Sequence, residues 1–329
     1  MAAYTTIDNP ELYFQAKLHT GNATNRSITL DGSEDMQPDF VWIKQRSSSN
    51  NHELFDAVRG ATKRMYSDVT NVEDTGATTL TSFDSDGFSL GTGNPNNDGG
   101  TYVSWCWKES ATAGFDIVTF TGNGSARTIS HSLSAKPEFF VVKSRTYGEQ
   151  WECYSKTIGA TKCLQWDDDS AEADIAGRFN DTEPTSSVFT VGDADAVNKN
   201  TYTYVTYLWR SVQGFSKMGS YTGNGNADGT FIYTGFRPAY IMIKNASASG
   251  NWELFDNKRS TYNLMHATLY ADTDGAEYTG TGNQIDVLSN GFKIRLNDTN
   301  TNGSGNTHIY AAFAEAPFVN SEGVPANAR

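Results

Sequence analysis

The stretch PDFVWIK, from Pro38 to Lys44, has two further counterparts in this chain: PEFFVVK, from Pro137 to Lys143, and PAYIMIK, from Pro238 to Lys244. Each copy has a proline, a run of apolar residues, and a lysine six residues after the proline. Short runs rich in β-branched and aromatic residues, bounded by turn residues, are typical of buried β-strands. We therefore expect this stretch to form a core strand in each copy.

Other landmarks recur around each copy in the same order. The tripeptide Thr-Gly-Asn begins at Thr20, Thr121 and Thr222, at two intervals of 101 residues. The core strand is followed by HELFD (52–56), WECYS (151–155) or WELFD (252–256), and each copy closes with YVSWCWK (102–108), YVTYLWR (204–210) or THIYAAFAE (307–315). This pattern predicts three homologous repeats. Their boundaries are 14–113, 114–213 and 214–317, with an N-terminal arm at 1–13 and a C-terminal tail at 318–329.

Within each repeat, clusters of Gly, Asn, Asp and Ser separate the apolar runs, and no stretch has the spacing of a long amphipathic helix. The best helical candidates, Asn71–Gly76 and Ser170–Ile175, are single turns. A repeat of about 100 residues has room for seven to nine strands and a core of its own. The sequence predicts an all-β protein of three tandem antiparallel β-sandwich modules, of sandwich or jelly-roll size. The linkers 110–114 and 212–214 are short, so neighbouring modules should pack together.

Composition excludes several classes of function. The chain has 329 residues and a formal net charge of −13, and it shows no basic patch, so we expect no nucleic-acid partner. Its longest apolar run, Ile309–Ala314, is far shorter than the roughly 20 residues of a membrane-spanning helix, so we expect no membrane insertion. The first ten residues do not resemble a secretory signal. Three cysteines cannot all pair within one chain, and we expect them to be reduced.

The titratable residues do not form a recognisable catalytic pattern. None of the five histidines lies in a Gly-x-Ser-x-Gly or comparable frame. A glycoside hydrolase needs two different carboxylates across a cleft. Here one glutamate recurs at corresponding positions of the three repeats, as Glu53, Glu152 and Glu253, which indicates a structural role. We expect the protein not to be an enzyme.

One acidic loop matches half of a calcium-binding motif. Asp298, Asn300 and Asn302 have the D-x-N-x-N-G spacing with Gly303, but Ile309 stands where a calcium loop has its bidentate glutamate. The alternative is a solvated turn stabilised by Asx hydrogen bonds. We therefore expect no obligatory cofactor, and we keep Ca²⁺ at these three residues as a hypothesis.

Aromatic residues offer a second hypothesis, because tryptophan and tyrosine rings can stack on sugars. Most tryptophans lie in strands at positions that are apolar in every repeat, which favours the core. Trp151 and Trp252 begin equivalent strands after an open loop, so we expect them to be the most exposed and name them as glycan-binding candidates. Weak sites repeated along a chain would gain avidity.

Several phrases resemble a poorly characterised family of tailed-bacteriophage virion proteins. They are GFRPAYIMIK (235–244), NWELFDNKR (251–259), LSNGFK (288–293) and AAFAEAPFVNSEGVPANAR (311–329), together with AYTTIDNPELYFQ (3–15) and DSDGFSLG (84–91), which resemble marine-phage members. The resemblance spans essentially the whole chain and is most specific in the third repeat. It implies a tail-fibre-like virion structural protein whose β-sandwich modules are similar to the concanavalin/lectin-like group. It implies no catalytic or ligand-binding residues.

We therefore expect a non-catalytic phage protein on the particle exterior, assembled in the host cytoplasm. The favoured role is an accessory tail-fibre or adhesion subunit. The alternatives are a capsid decoration (cement) protein and, less favoured, a polysaccharide-degrading enzyme. Expected partners are other tail or capsid subunits, host-surface glycans and further copies of the chain in a homo-oligomer. The arm 1–13 and the tail 318–329 are hypothesised to dock on a neighbouring subunit, because free ends of this composition would otherwise be floppy.

Overall fold

The structure, a computed structural model, describes residues 4–327 and confirms the all-β prediction. Strands account for 41% of the residues and helices for 5%. The described α-helices are single turns that lie outside the two predicted segments, at Ala176–Phe179 (α1), Asp195–Asn198 (α2) and Thr299–Asn302 (α3). None of the helices within 4–327 is long and apolar enough to cross a bilayer.

The strands follow one another in a similar order in each repeat. Repeat 1 contains β1 (Phe14–Thr20), β2 (Arg26–Thr29), β3 (Phe40–Gln45), β4 (Glu53–Asp56), β5 (Lys63–Arg64), β6 (Asp74–Thr75), β7 (Leu80–Asp84), β8 (Gly87–Leu90) and β9 (Thr101–Trp107). Repeat 2 contains β10 (Phe115–Thr121), β11 (Arg127–Ser130), β12 (Phe139–Ser144), β13 (Glu152–Ser155), β14 (Lys162–Gln165), β15 (Ala173–Asp174), β16 (Val188–Val191) and β17 (Thr203–Trp209). Repeat 3 contains β18 (Ser216–Thr222), β19 (Phe231–Tyr233), β20 (Phe236–Asn245), β21 (Glu253–Asp256), β22 (Leu269–Tyr270), β23 (Ile285–Leu288), β24 (Gly291–Ile294) and β25 (Thr307–Pro317).

Each repeat forms a large antiparallel sheet with the same strand order. The orders are β1-β9-β3-β4, β10-β17-β12-β13-β14-β15 and β18-β25-β20-β21-β22. The predicted core strands are β3, β12 and most of β20, and each lies between the closing strand and the glutamate-bearing strand of its repeat. A smaller antiparallel sheet accompanies each large one, with the orders β2-β8-β7, β11-β16 and β19-β24-β23.

The large sheets are buried on both faces, and their side chains alternate between two cores. In β9, Trp105 and Trp107 face one core, whereas Tyr102 and Cys106 face the apolar cluster against the small sheet of the same repeat. This alternation is the two-residue period of a β-strand that is buried on both faces. The three cysteines are buried free thiols.

Beyond the packing of neighbouring repeats that the short linkers predict, an apolar core lies between all three repeats. Rings from different repeats pack directly against each other: Phe40 and Tyr207 at 4.5 Å between centroids, Trp42 and Trp166 at 4.9 Å, Phe14 and Phe313 at 5.3 Å. The expectation that each repeat relies on a core of its own is therefore incomplete. One face of every large sheet is covered by the other repeats rather than by its own small sheet.

The lysine at the last but one position of each core strand links the repeats in a cyclic order. The buried Lys44 ammonium donates to the carbonyl of Asp274 at 3.0 Å, Lys143 to that of Thr70 at 2.8 Å, and Lys244 to that of Asp169 at 2.8 Å. Repeat 1 thus contacts repeat 3, repeat 2 contacts repeat 1, and repeat 3 contacts repeat 2. Burial lowers the pKa of each of these lysines to about 8.

Backbone hydrogen bonds follow the same cyclic order. The amides of Glu73, Glu172 and Glu277 donate to the carbonyls of Arg145, Ala246 and Arg46, at 2.9, 2.8 and 2.9 Å respectively. At two of the three boundaries the side chains add an ion pair, Arg145 with Glu73 at 2.9 Å and Arg46 with Glu277 at 2.7 Å. The described repeats therefore close into a ring of contacts.

The chain ends lie against the chain itself. Thr5 donates to the carbonyl of Gln213 at 2.9 Å, and the hydroxyl of Tyr4 donates to the carbonyl of Gly235 at 3.1 Å. The backbone amide of Ser321 in the tail donates to Asp8 in the arm at 2.7 Å. Residues 4–13 and 318–327 are therefore not free ends, because both pack on the body or on each other, and their docking on a neighbouring subunit stays a prediction. Residues 1–3 and 328–329 lie outside the described residues.

Candidate functional site

The two tryptophans predicted to face a glycan are buried. Trp151 and Trp252 are 0% and 1% exposed, so the expectation that they are exposed is wrong. The physical reason is the neighbouring repeat, which covers them. The Trp151 indole donates to the carbonyl of Tyr66 at 2.8 Å, and the Trp252 indole donates to that of Gln165 at 2.8 Å. Both rings therefore serve as contacts between repeats and present no open face to a sugar.

The residues of the predicted calcium loop have structural hydrogen bonds. Asp298 caps α3 by accepting from the amides of Asn300 and Thr301. Asn302 is buried, and its side-chain amide donates to the carbonyls of Asn226 and Leu296 at 2.7 and 2.8 Å. Within residues 4–327, no three His, Cys, Asp or Glu side chains are grouped so that they could hold a metal ion. Asp298 therefore caps a helix and Asn302 closes a loop, whereas Asn300 contributes its backbone amide to the cap.

A solvent-accessible cleft lies where repeat 1 meets repeat 3, and we call it the 1/3 cleft. It encloses about 300 Å³. It is lined by Glu11, Phe14, Gln15, Ala16, Ala239, Asn257, Lys258, Thr261, Tyr262, Ala314 and Glu315. Phe14, Ala16, Ala239 and Ala314 are almost fully buried and supply apolar surface. The cleft thus combines an apolar floor with polar walls.

Some polar groups of the 1/3 cleft are held by the protein itself. The side chain of Gln15 accepts from the amide of Gly32 at 2.8 Å and donates to the carbonyl of Glu11 at 2.9 Å. The carboxylate of Glu11 accepts from the amide of Ser33 at 2.9 Å. Glu315 pairs with Arg237 at 3.2 Å. These contacts hold one wall of the cleft in place.

The opposite wall carries polar groups that the protein does not use. The side chains of Asn257, Lys258 and Tyr262 make no hydrogen bond or ion pair with any residue in 4–327. Asn257 is 7% exposed and lies low in the cleft, whereas Tyr262 is 80% exposed at its rim. An amide, an ammonium group and a phenol ring are therefore available to a ligand from one short segment.

Corresponding positions at the other two boundaries are already engaged. At the 1/2 boundary, Glu109, Asp39 and Asp116 take the places of Glu315, Ala239 and Gln15. The Glu109 carboxylate accepts from the amide of Ile117 at 3.1 Å, and burial together with Asp116 raises the pKa of Glu109 to about 7.

The 2/3 boundary has a cleft of about 370 Å³. There the carboxylate of Glu138 accepts from the hydroxyl of Ser211 and pairs with Lys156 at 2.9 Å. Lys217 donates to the carbonyl of Tyr233 at 2.9 Å and lies over the ring of that residue. The lysines of this cleft are thus engaged by the protein, whereas Lys258 of the 1/3 cleft has no partner within residues 4–327.

Sequence reasoning missed Asn257, Lys258 and Tyr262, although the sequence contains a signal for them. Repeats 1 and 2 share GATK at 60–63 and 159–162, and repeat 3 has STYN at 260–263 in its place, because Arg259 corresponds to Arg59. Gly60 and Gly159 of the shared turn have positive φ angles. The loss of this turn in repeat 3 coincides with the exposed loop that carries Tyr262.

The sequence matches the protein family described as "Domain of unknown function (DUF7483)" over residues 9–317, and the chain belongs to that family. The match includes all three repeats and residues 9–13 of the arm. No curated protein matches the chain.

Proposed function

We propose that this member of the family is a non-catalytic structural protein on the exterior of a tailed-bacteriophage particle, acting as an accessory tail-fibre or adhesion subunit. The observation that carries the proposal is the closed ring of contacts between the repeats, together with the 1/3 cleft, whose Lys258 ammonium group has no partner within residues 4–327. The resemblance of the third repeat and the tail to phage virion proteins supports the same assignment.

The contacts between repeats suit a structural protein that must transmit force without changing its conformation. Buried aromatic rings, lysine–carbonyl hydrogen bonds and ion pairs connect each repeat to both others. Close packing of this kind resists deformation because interdigitated side chains have few alternative arrangements. A rigid body also holds a binding cleft in a fixed direction, which an attachment protein requires.

Exposed aromatic residues provide surface for other virion subunits or further copies of the chain. Phe231 and Tyr233 are 43% and 48% exposed on β19, which ends its sheet. Exposed aromatic side chains on an edge strand are typical of protein contacts. This surface lies outside the 1/3 cleft, so assembly and ligand binding would use different residues.

The proposal is tested by locating the protein on intact phage particles with an antibody against the purified chain and electron microscopy. We expect label on the tail, and we expect the purified protein to reduce phage adsorption to host cells. Label confined to the head would instead indicate a capsid decoration protein. Absence of the protein from purified particles, or release of reducing sugar from host polysaccharide by the purified protein, would show that the proposal is wrong.

A further inference from the structure

We propose that the 1/3 cleft is a binding site for an uncharged pyranose sugar, with the ring of Tyr262 against the sugar face and Asn257 and Lys258 bonded to its hydroxyl groups. The inference rests on the proposed function for the biological source of the sugar, which would be a host-surface polysaccharide. The site itself is argued from the geometry of the cleft.

The shape of the 1/3 cleft suits a small ring rather than a protein segment. Its volume of about 300 Å³ is at the lower end of the range for small-molecule sites. The apolar floor, with Phe14 and Ala314 at 2% exposure each, lies below the polar wall. A pyranose has the same division, because its C–H groups form an apolar face and its hydroxyl groups point outward from the ring.

The available polar groups match hydroxyl chemistry. The Asn257 amide can donate to one hydroxyl and accept from the next, and the Lys258 ammonium can donate to hydroxyl oxygens. Tyr262 combines an apolar ring with a phenol group, and its ring can stack on a sugar face. Because these three side chains make no side-chain hydrogen bond within residues 4–327, a sugar would gain their hydrogen bonds without breaking others.

Charge favours a neutral sugar over an acidic one. The cleft contains two carboxylates, Glu11 and Glu315, and one unpaired ammonium group, Lys258. The chain carries a net charge of −13, which repels polyanions at a distance. An acidic polysaccharide would have to approach against this field, whereas a neutral one would not.

The experiment measures retention of the purified full chain on native gels that contain dextran, mannan or galactan, with alginate as the anionic comparison. We expect retention on at least one neutral polysaccharide, insensitive to salt. We expect Tyr262→Ala and Lys258→Met to weaken the apparent Kd at least about tenfold, which corresponds to about 1.4 kcal/mol. Tyr262→Phe should bind within about twofold of the parent, because it keeps the ring.

The matched control is Tyr233→Ala, which removes another exposed tyrosine at the 2/3 boundary and should leave retention unchanged. Thermal unfolding of every variant shows whether it is folded, and Lys258→Met, at a partly exposed position, is the second variant if Tyr262→Ala unfolds. No retention on any neutral polysaccharide would overturn the inference. So would retention that Tyr262→Ala leaves intact, or salt-sensitive retention on alginate alone.

The two proposals fail separately. A protein that binds a neutral polysaccharide through Tyr262 but is absent from phage particles keeps the inference and overturns the proposed function. A protein that is found on the tail but is not retained on any neutral polysaccharide keeps the proposed function and overturns the inference about the 1/3 cleft.

Discussion

A buried glutamate begins the same strand in every repeat, as Glu53, Glu152 and Glu253. The side chains around this glutamate differ between the repeats. The Arg64 guanidinium lies 3.4 Å from the Glu53 carboxylate, and that of Arg178 lies 2.9 Å from the Glu152 carboxylate. In repeat 3 the strand register places Thr268 where repeat 1 has Arg64. Within residues 4–327, Glu253 has no ion pair, and the side chain of Asn300 is the polar neighbour that opposes the rise in its pKa.

This difference predicts how stability depends on pH. Burial raises the pKa of Glu253 well above its usual range, and Asp298 adds to the rise. The folded protein therefore holds a proton that the unfolded chain releases above its ordinary pKa, so stability falls as pH rises through neutrality. We expect Glu253→Gln to flatten this fall and to stabilise the protein at pH 8 by about 1 kcal/mol. Urea unfolding of the parent and the variant from pH 5 to pH 9 measures the free energy of unfolding at each pH.

Glu152→Gln is the matched control, because it removes the acid partner of Arg178 instead of an unpaired acid. We expect it to destabilise the protein by about 2 kcal/mol at pH 8. Glu53 leaves some pH dependence in both variants, because burial raises the pKa of Glu53 to about 8. Destabilisation of the same size by both substitutions would contradict the distinction between them.

The equivalence of the three glutamates was predictable from the sequence, and so was their structural character. The positively charged partner of each glutamate was not predictable. Arg64 comes from a strand close in sequence to Glu53, whereas Arg178 comes from the helix α1, which repeat 1 lacks at this point. Spacing alone does not indicate which cation reaches which carboxylate.

The loop that contains Thr-Gly-Asn explains why this tripeptide is the strongest repeat signal. A Cβ atom added to Gly21, Gly122 or Gly223 would lie 2.1, 2.1 or 2.3 Å from a backbone carbonyl oxygen of the facing loop. That facing loop is fixed by the buried asparagines Asn96, Asn198 and Asn302. Each donates from its side-chain amide to carbonyls on both sides of the loop, and its side-chain oxygen accepts from the backbone amide of the tripeptide's asparagine.

This contact predicts a large effect of Gly122→Ala. The added methyl group would meet the carbonyl of Lys199, which is backbone and cannot move aside without disrupting the loop. We expect a loss of about 3 kcal/mol in the free energy of unfolding, measured by urea titration.

The control is Gly124→Ala, two residues further along the same loop. Gly124 has a φ of +72°, and its added Cβ would have only an ordinary contact with Asn200 at 3.5 Å. Backbone strain alone predicts a loss of about 1 kcal/mol. Equal losses for the two variants would show that the close approach at Gly122 does not matter.

At the level of strands, the sequence predicts burial best where the contacts of a strand lie within its own repeat. The alternation in β9 and the core strands β3 and β12 follow from local pattern, and the structure confirms them. The burial of Trp151 could not be predicted in this way. Its exposure depends on Tyr66, a residue of another repeat, and nothing in the spacing within repeat 2 indicates which neighbour covers that strand.

For the whole molecule, the core strands contain a signal for the arrangement of the repeats. Every residue of β3 and of β12 is buried, so neither strand has the polar face of a sandwich that stands alone. A sheet that is apolar on both faces needs two covering layers. One layer is the small sheet of the same repeat, and the other is supplied by the remaining repeats.

The shared core predicts that the protein folds as one cooperative unit. Tyr240 and Phe313 of repeat 3 cover Trp105 and Phe14 of repeat 1, with centroids 5.5 and 5.3 Å apart. A chain that ends at residue 213 would expose these apolar surfaces to water, so we expect it to bind the dye ANS and to aggregate.

For the full chain we expect a single urea transition that coincides in tryptophan fluorescence and far-UV circular dichroism. Lys143→Met, which breaks the contact between repeats 2 and 1, should move that whole transition to lower urea. Separate transitions, or a stable and soluble fragment 1–213, would mean that the repeats fold independently and that the contacts between them contribute little.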